Sequence, residues 1–417
     1  VPSPARQAAY AVVRRVFEQG AYADRALRRV TERLDGRERA FATQLAYGTV
    51  QRKGTLDFLA ARFAKRPAEQ LDAPVLAAIR LGLYQLAYLD GVPAHAAVDE
   101  SVELVKADAP RAAGFVNAVL RKGAGEARAL VAALPDDTPE QAAIAHSVPR
   151  WLAGMWFEQL GAQDARALLA ASNRPAEHAL RANALVLTAR ELQAALPVET
   201  HLGVQPPESV VADAPFDAHG SPLFAAGALL PQSRASQLVA RAVDPQAGER
   251  ILDLCAAPGG KTTHLAALMG DVGEIVAVER NGDRAEQLRA TAARMHATSV
   301  RVVHADAAAY EADGFDRVLV DPPCSGLGTL RSRPDLRWRT DPAQIQALVA
   351  EQRAILDAAV AALRPGGRLV YSTCTISAME NERQIRTRAD LEVESVRTTF
   401  PHVDDTDGFF IATMRRL

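Results

Sequence analysis

Two of the three cysteines in this chain stand where a thiol can do more than fill a core. Cys324 ends Asp321-Pro322-Pro323-Cys324 and is followed by Ser325-Gly326, while Cys374 lies in Ser372-Thr373-Cys374-Thr375. Each segment comes directly after an apolar run. A lone cysteine is most often a small core hydrophobe, but at the mouth of a sheet a thiol is reachable and can be activated. C5 of cytosine is a poor nucleophile. A thiolate added at C6 turns the ring into an enamine that attacks a sulfonium methyl. An acid must then hold the proton at N3, and a base must strip the C5 proton so that the thiol can leave. Asp321 and the two thiols cover these roles, and residue type alone leaves open which thiol does which. A methyltransferase acting on an exocyclic adenine nitrogen would more naturally place an aromatic residue where Cys324 stands.

The sulfonium donor needs a site, and the sequence offers one. Asp253-Leu254-Cys255-Ala256-Ala257-Pro258-Gly259-Gly260-Lys261-Thr262-Thr263 is a turn of small residues running from an apolar segment into a helix, so a ligand can approach its backbone closely. The turn has neither the G-x-G-x-x-G pattern nor P-loop spacing, which disfavours a dinucleotide or nucleoside triphosphate. Glu279 follows Lys261 by eighteen residues, where such folds place an acid on ribose hydroxyls, and Asp306 and Asp321 close the next two apolar runs. Singly, each acid reads as a solvated cap at a strand end. Together, one glycine turn and three carboxylates suit a nucleoside with an exposed ribose, an amino-bearing base and a cationic centre. S-adenosylmethionine is that molecule.

These residues must be carried by strands. Candidate strands are 250–254, 274–279, 300–304, 315–321 and 367–372, with helices such as 284–295 and 342–363 between them, which predicts a doubly wound parallel sheet. Ligands of such sheets bind at the carboxyl ends of the strands, where every residue named above falls. Upstream, residues 6–128 show helical spacing throughout; Ala9, Val12, Val13, Val16 and Phe17, for instance, share one face. Residues 134–139 read as a linker. The expected organisation is an all-helical domain over 1–140, a small α/β connecting domain over 141–235 and a catalytic α/β domain over 236–417.

Net charge is only −2 over 417 residues, so bulk charge does not bind a polyanion; residues 1–130, with 20 Lys/Arg against 14 Asp/Glu, are the basic part. The cysteine spacing matches no zinc site, and an odd, sparse count without a signal-peptide pattern predicts a reducing cytoplasm. No run of about 18 uncharged apolar residues predicts a membrane span. Aromatic residues make up 5%, too few for a broad stacking platform. Arg331, Arg333, Arg337 and Arg339 with Trp338 are expected to meet RNA phosphates and one base, and Arg181 and Asn183 to add contacts. Arg25, Arg28, Arg29 and Arg33 form a further basic face.

The segments 253–263, 321–326 and 372–382 resemble, in order, three motifs of the RNA cytosine-C5 methyltransferases of the NOL1/NOP2/Sun family, and the helical first third resembles a NusB-type RNA-binding domain. The resemblance implies a Rossmann-like S-adenosylmethionine-dependent methyltransferase sheet, preceded by a NusB-like domain and a small connecting domain, in a monomer acting on 16S ribosomal RNA. By position, the family's nucleophile falls on Cys374. Its second cysteine, serving C5 proton removal or product release, falls on Cys324. Donor contacts fall on Cys255, Ala256, Ala257, Pro258, Gly259, Gly260, Lys261, Glu279, Asp306 and Asp321, and Asp321 also matches the group that bonds the ring near N3. The chain departs from the pattern at Pro322, often alanine, at Pro231-Gln232-Ser233, commonly Val-Gln-Asp, and at Glu279, frequently aspartate. Rival expectations are a cytosine-5 methyltransferase of transfer RNA or another ribosomal site, and a non-catalytic NusB-type RNA-binding factor. The intact cysteines, glycine turn and Asp321 speak against the latter.

Overall fold

Alanines and branched apolar residues at helical spacing build the first part of the chain. In the computed structural model, which describes residues 2–386 and 388–417, helices Pro4–Gln19, Ala23–Thr31, Gly36–Gln51, Lys53–Ala64, Ala73–Tyr88, Ala94–Lys106 and Ala113–Ala132 share one apolar core. Ala73–Tyr88 is buried nearly all round, and two of its buried polar side chains are matched: Arg80 pairs with Asp57 at 2.6 Å, and Gln85 accepts from Arg6 Nε at 2.7 Å. After the expected linker, Thr138 and Gln141 form a capping box that starts helix Pro139–Ala145. Helices Arg150–Leu160 and Ala162–Ala171 follow.

The described chain divides into two compact units, one running to Arg174 and including Leu330–Arg339, the other holding Pro175–Thr329 and Thr340–Leu417. The expected RNA-facing cluster 331–339 is corrected at Arg337, Trp338 and Arg339, while Arg333 is exposed as expected. Arg337 is fully buried within the helical unit and donates to Ser147 O at 3.1 Å, Ser172 O at 3.1 Å and Asn173 Oδ1 at 3.0 Å. Ser172 caps a helix end whose last carbonyls have no intrahelical partner, and a planar five-donor guanidinium collects such acceptors well. Trp338 donates its indole N–H to Val50 O at 2.7 Å, and Arg339 lies 3.9 Å over the Tyr22 ring. These side chains hold the segment in its unit, with Arg337 buried and Trp338 and Arg339 half-buried.

The second unit is built on strands. In β1 (His178–Ala182), β2 (Thr200–Leu202), β3 (Ser209–Ala212) and β4 (Leu229–Pro231) the pairing is antiparallel and the order β2-β3-β1-β4. β5 (Arg250–Leu254), β6 (Glu274–Glu279), β7 (Val300–His304), β8 (Phe315–Val320), β9 (Leu363–Thr373), β10 (Leu391–Thr398) and β11 (Phe410–Arg416) form one sheet in the order β10-β11-β9-β8-β5-β6-β7. β5 to β9 are mutually parallel, as expected. β11 runs antiparallel to β9 and carries β10 outside it, a pair not anticipated. Apolar residues cover both faces of the central strands, the condition for a buried parallel sheet. Among the described residues no helix is long and apolar enough to cross a membrane.

Candidate active site

β5 delivers the chain into a turn whose shape is set by backbone. Cys255 and Gly259 have positive φ, +67° and +101°, and the Ala257–Pro258 peptide is cis. A Cβ on Gly259 would lie 2.7 Å from Leu288 Cδ1 in a left-handed backbone, so this position requires glycine. Helix Gly260–Leu268 begins at once. Arg284, a residue the sequence analysis did not single out, donates to Ala257 O at 2.6 Å and stands 3.6 Å from Glu279 Oε2, joining the turn to the end of β6. Glu279 is buried and accepts from Asn281 N at 2.9 Å. Asp306, past β7, is exposed and accepts from Ala308 N at 3.0 Å, so at present its carboxylate serves as a cap.

Asp321, just past β8, has both oxygens engaged. Lys261 Nζ stands 2.6 Å from Oδ2, and Ser372 Oγ donates to Oδ1 at 2.9 Å. The carboxylate thus ties the glycine turn to the strand leading into Cys374. Burial lowers the Lys261 pKa, but Asp321 more than offsets this and leaves it above the ordinary value, so the ammonium stays charged. Cys255 is pushed up as well: burial, then the negative charge of Asp321, raises its thiol pKa and makes it a poor nucleophile.

Because β8 and β9 are neighbours, the loops after them meet. Cys324 Sγ and Cys374 Sγ are 3.4 Å apart, both part-buried and neither in a disulfide. The hydrogen bond to Cys374, followed by burial, raises the Cys324 pKa well above the usual thiol range, so Cys324 keeps its proton. Gly328 N donates to Cys374 O at 3.0 Å, and a Cβ on Gly328 would come within 1.9 Å of Gly408 O. Only glycine allows that approach, and Gly326-Leu327-Gly328 was the signal available for it.

Two further expectations are corrected. Arg181 and Asn183 are fully buried and cannot meet RNA. Arg181 projects from β1 and donates to Gln232 Oε1 at 2.7 Å, to Thr263 Oγ1 at 2.9 Å and to Gly260 O; Thr263 Oγ1 in turn donates to Gly259 O at 2.8 Å. The guanidinium therefore braces the back of the glycine turn. Burial lowers its pKa to about 9, still charged at neutral pH. Asn183 donates to Gly227 O and Met295 O, bridging two loops. Ser233, where aspartate is common, accepts from Ser236 N and caps helix Arg234–Val243 itself.

The chain is similar to known proteins over its whole length. Residues 240–415 match the family described as 16S rRNA methyltransferase RsmB/F, and residues 3–124 match the NusB family. The chain is 36% identical to a Synechocystis sp. protein named probable ribosomal RNA small subunit methyltransferase B, over 99% of both chains. It is 32% identical to ribosomal RNA small subunit methyltransferase B of Vibrio vulnificus, over 98% of both. The crystal structure of PH0851 superposes with a TM-score of 0.85 at 25% identity, covering 100% of this chain and 99% of that one.

Proposed function

The chain belongs to the 16S rRNA methyltransferase RsmB/F family, whose methyl donor is S-adenosylmethionine, and on that premise we propose that it methylates C5 of a cytosine in 16S ribosomal RNA through a transient bond between Cys374 Sγ and C6. The donor, when bound, supplies an electrophilic sulfonium methyl. The turn Cys255–Lys261 fits it: Gly259 lets the turn lie tight against Leu288, which fixes its backbone, and buried Glu279 stands at the next strand end for ribose hydroxyls. Asp306 and Asp321 are the remaining donor contacts.

Cys374 adds to C6 while Asp321 hydrogen-bonds the ring near N3, with Lys261 and Ser372 fixing the carboxylate. Cys324 rests as the thiol 3.4 Å from the nucleophile; passing its proton to the departing Cys374 sulfur leaves a thiolate that takes the C5 proton, so it serves removal of that proton or release of the product. The target base must leave its stack to reach these groups. In this reading residues 1–140 bind RNA, 141–235 connect and 236–417 catalyse, in a monomer of the cytoplasm.

The observation that carries the proposal is the pair of thiols at adjacent strand ends, joined through Asp321 to the donor turn. Incubating the full chain with a 16S ribosomal RNA transcript or assembling small subunits and labelled donor, then mapping 5-methylcytosine, tests it. A label on C5 of one cytosine is expected. Transfer only to transfer RNA, only to another atom, or to no RNA overturns it.

A further inference from the structure

Below the two thiols lies a carboxylate with no part in the mechanism above. Glu380 is fully buried and is met by neutral donors: Ser325 N at 2.8 Å, Ser325 Oγ at 2.5 Å and Gln352 Nε2 at 3.1 Å. Its own carbonyl accepts from Tyr371 OH at 2.7 Å. Ser325 Oγ also lies 2.6 Å from Thr375 Oγ1. Ser325 is the neighbour of Cys324, and Thr375 is the neighbour of Cys374. Gln352 Nε2 donates at 2.9 Å to Pro323 O, on the other side of Cys324.

The directions of these bonds follow from what each group can do. An ionised carboxylate only accepts, so Ser325 Oγ gives its single hydrogen to Glu380 and must receive one from Thr375. The chain Thr375→Ser325→Glu380 then has one polarity and one arrangement. It links two loops that share no covalent bond, each one residue from a thiol. A buried carboxylate costs several kcal/mol unless its hydrogen bonds are complete, so the network holds its full set or gives way. The negative charge of Glu380 also helps keep the Cys324 thiol protonated, behind the larger effects of Cys374 and burial.

We propose that Glu380 is a positioning residue for methyl transfer, which acts through Ser325 and Thr375 to fix the separation of the Cys324 and Cys374 thiols. The inference rests on the two-thiol reading above. Glu380→Gln keeps the shape but turns one acceptor into a donor facing the Ser325 hydroxyl, so the polarity is lost.

The test measures kcat at saturating RNA transcript and the Kd for S-adenosylmethionine in the full chain carrying Glu380→Gln, Ser325→Ala, or both. A fall in kcat of about 10- to 100-fold is expected, because misplacing a reacting group by about 1 Å costs on that order. Donor Kd should stay within about twofold, and the double variant should be no slower than the slower single one, since both cut the same chain. Unchanged kcat, donor binding weakened as much as kcat, or multiplicative losses in the double variant each overturn the proposal. If Glu380→Gln does not fold, Ser325→Ala with Thr375→Val completes the same cycle on hydroxyls alone. Cys374→Ser in the same assay separates the two ideas. Full activity there defeats the two-thiol reading, whereas a dead Cys374→Ser beside an unimpaired Glu380→Gln defeats only this inference.

Discussion

The donor turn and the thiol loops sit at neighbouring strand ends but are held by different means. The turn is a backbone construction, with left-handed Cys255 and Gly259, a helix start at Gly260, and a guanidinium behind it that donates to Gly260 O and Thr263 Oγ1. The thiol loops are held by side chains, with Asp321 on Ser372 and Glu380 on Ser325 and, through it, Thr375. Backbone shape sets how closely a ligand can approach, whereas side-chain hydrogen bonds set where a reacting atom stands. Damage to the turn should therefore appear in donor affinity, and damage to the loops in the rate of transfer.

The sharpest separation should come from Cys374→Ser. A serine hydroxyl is far less acidic than a thiol and does not reach C6 as an anion near neutral pH. Transfer to the RNA transcript should fall by at least about 1,000-fold, with donor Kd within about twofold by calorimetry. Comparable losses in both would erase the distinction between the regions. Cys324→Ala tests the other thiol. Here turnover should fall about 100-fold while a covalent protein–RNA species accumulates, visible as a band stable to denaturant. Slow turnover without that band removes Cys324 from the release step.

How legible these regions were in the sequence follows the same division. β5, β6 and β7 were read to the residue, because short branched runs end in glycines or acids. The turn was visible for a like reason: Pro258-Gly259-Gly260 leaves few alternatives. β10 was not, since it is an edge strand exposed along most of its length, and its Glu392, Glu394 and Arg397 hide any alternation. β11 was readable in Phe409-Phe410-Ile411-Ala412, which is apolar without interruption. Arg181 and Asn183 were assigned outward on residue type, Arg337 and Trp338 on their place just after the Cys324 loop, and all four serve the interior or a part-buried seam. For Arg181 a clue existed, since it stands inside an apolar strand segment. Arg337 offered none, because its shortest bonds, to Ser147 O, Ser172 O and Asn173 Oδ1, reach residues 164 to 190 positions earlier. The Glu380 network was equally hidden, since Ser325 and Glu380 are 55 positions apart.

Arg181→Met probes the backbone side. The side chain keeps its apolar stem but leaves Gln232 Oε1 without its donor and Gly260 O with one fewer, which costs about 1–3 kcal/mol for the unpaired buried group. Loosening of the turn should weaken S-adenosylmethionine binding about 10- to 30-fold, with kcat at saturating donor within about threefold. Added guanidinium ion should recover part of the affinity. A variant that binds the donor normally but transfers slowly would place Arg181 with the thiol loops and break the comparison.

The smallest effect on function, and one specific to the turn, is expected from Asp253. It is buried in β5, 2.6 Å from Thr262 Oγ1 on the helix that follows the turn. Burial lifts its pKa from 3.8 to about 7, the Thr262 bond opposes that, and the charge of Asp321 adds to it. The folded protein therefore holds this proton after the unfolded chain has released it. Below about pH 4 both states are protonated and the group favours neither. Between about pH 4 and 7 the unfolded state binds fewer protons, so stability falls as pH rises, reaching a few kcal/mol in total above the folded pKa. Asp253→Asn keeps an acceptor for Thr262 and never ionises. Relative to wild type it should be little changed at pH 4.5 and increasingly stabilised toward pH 8 in urea unfolding, with transfer at neutral pH within about threefold. A stability difference that does not vary with pH would mean that Asp253 titrates alike in both states. The turn would then rest on its glycines and Arg181 without a buried acid beneath it.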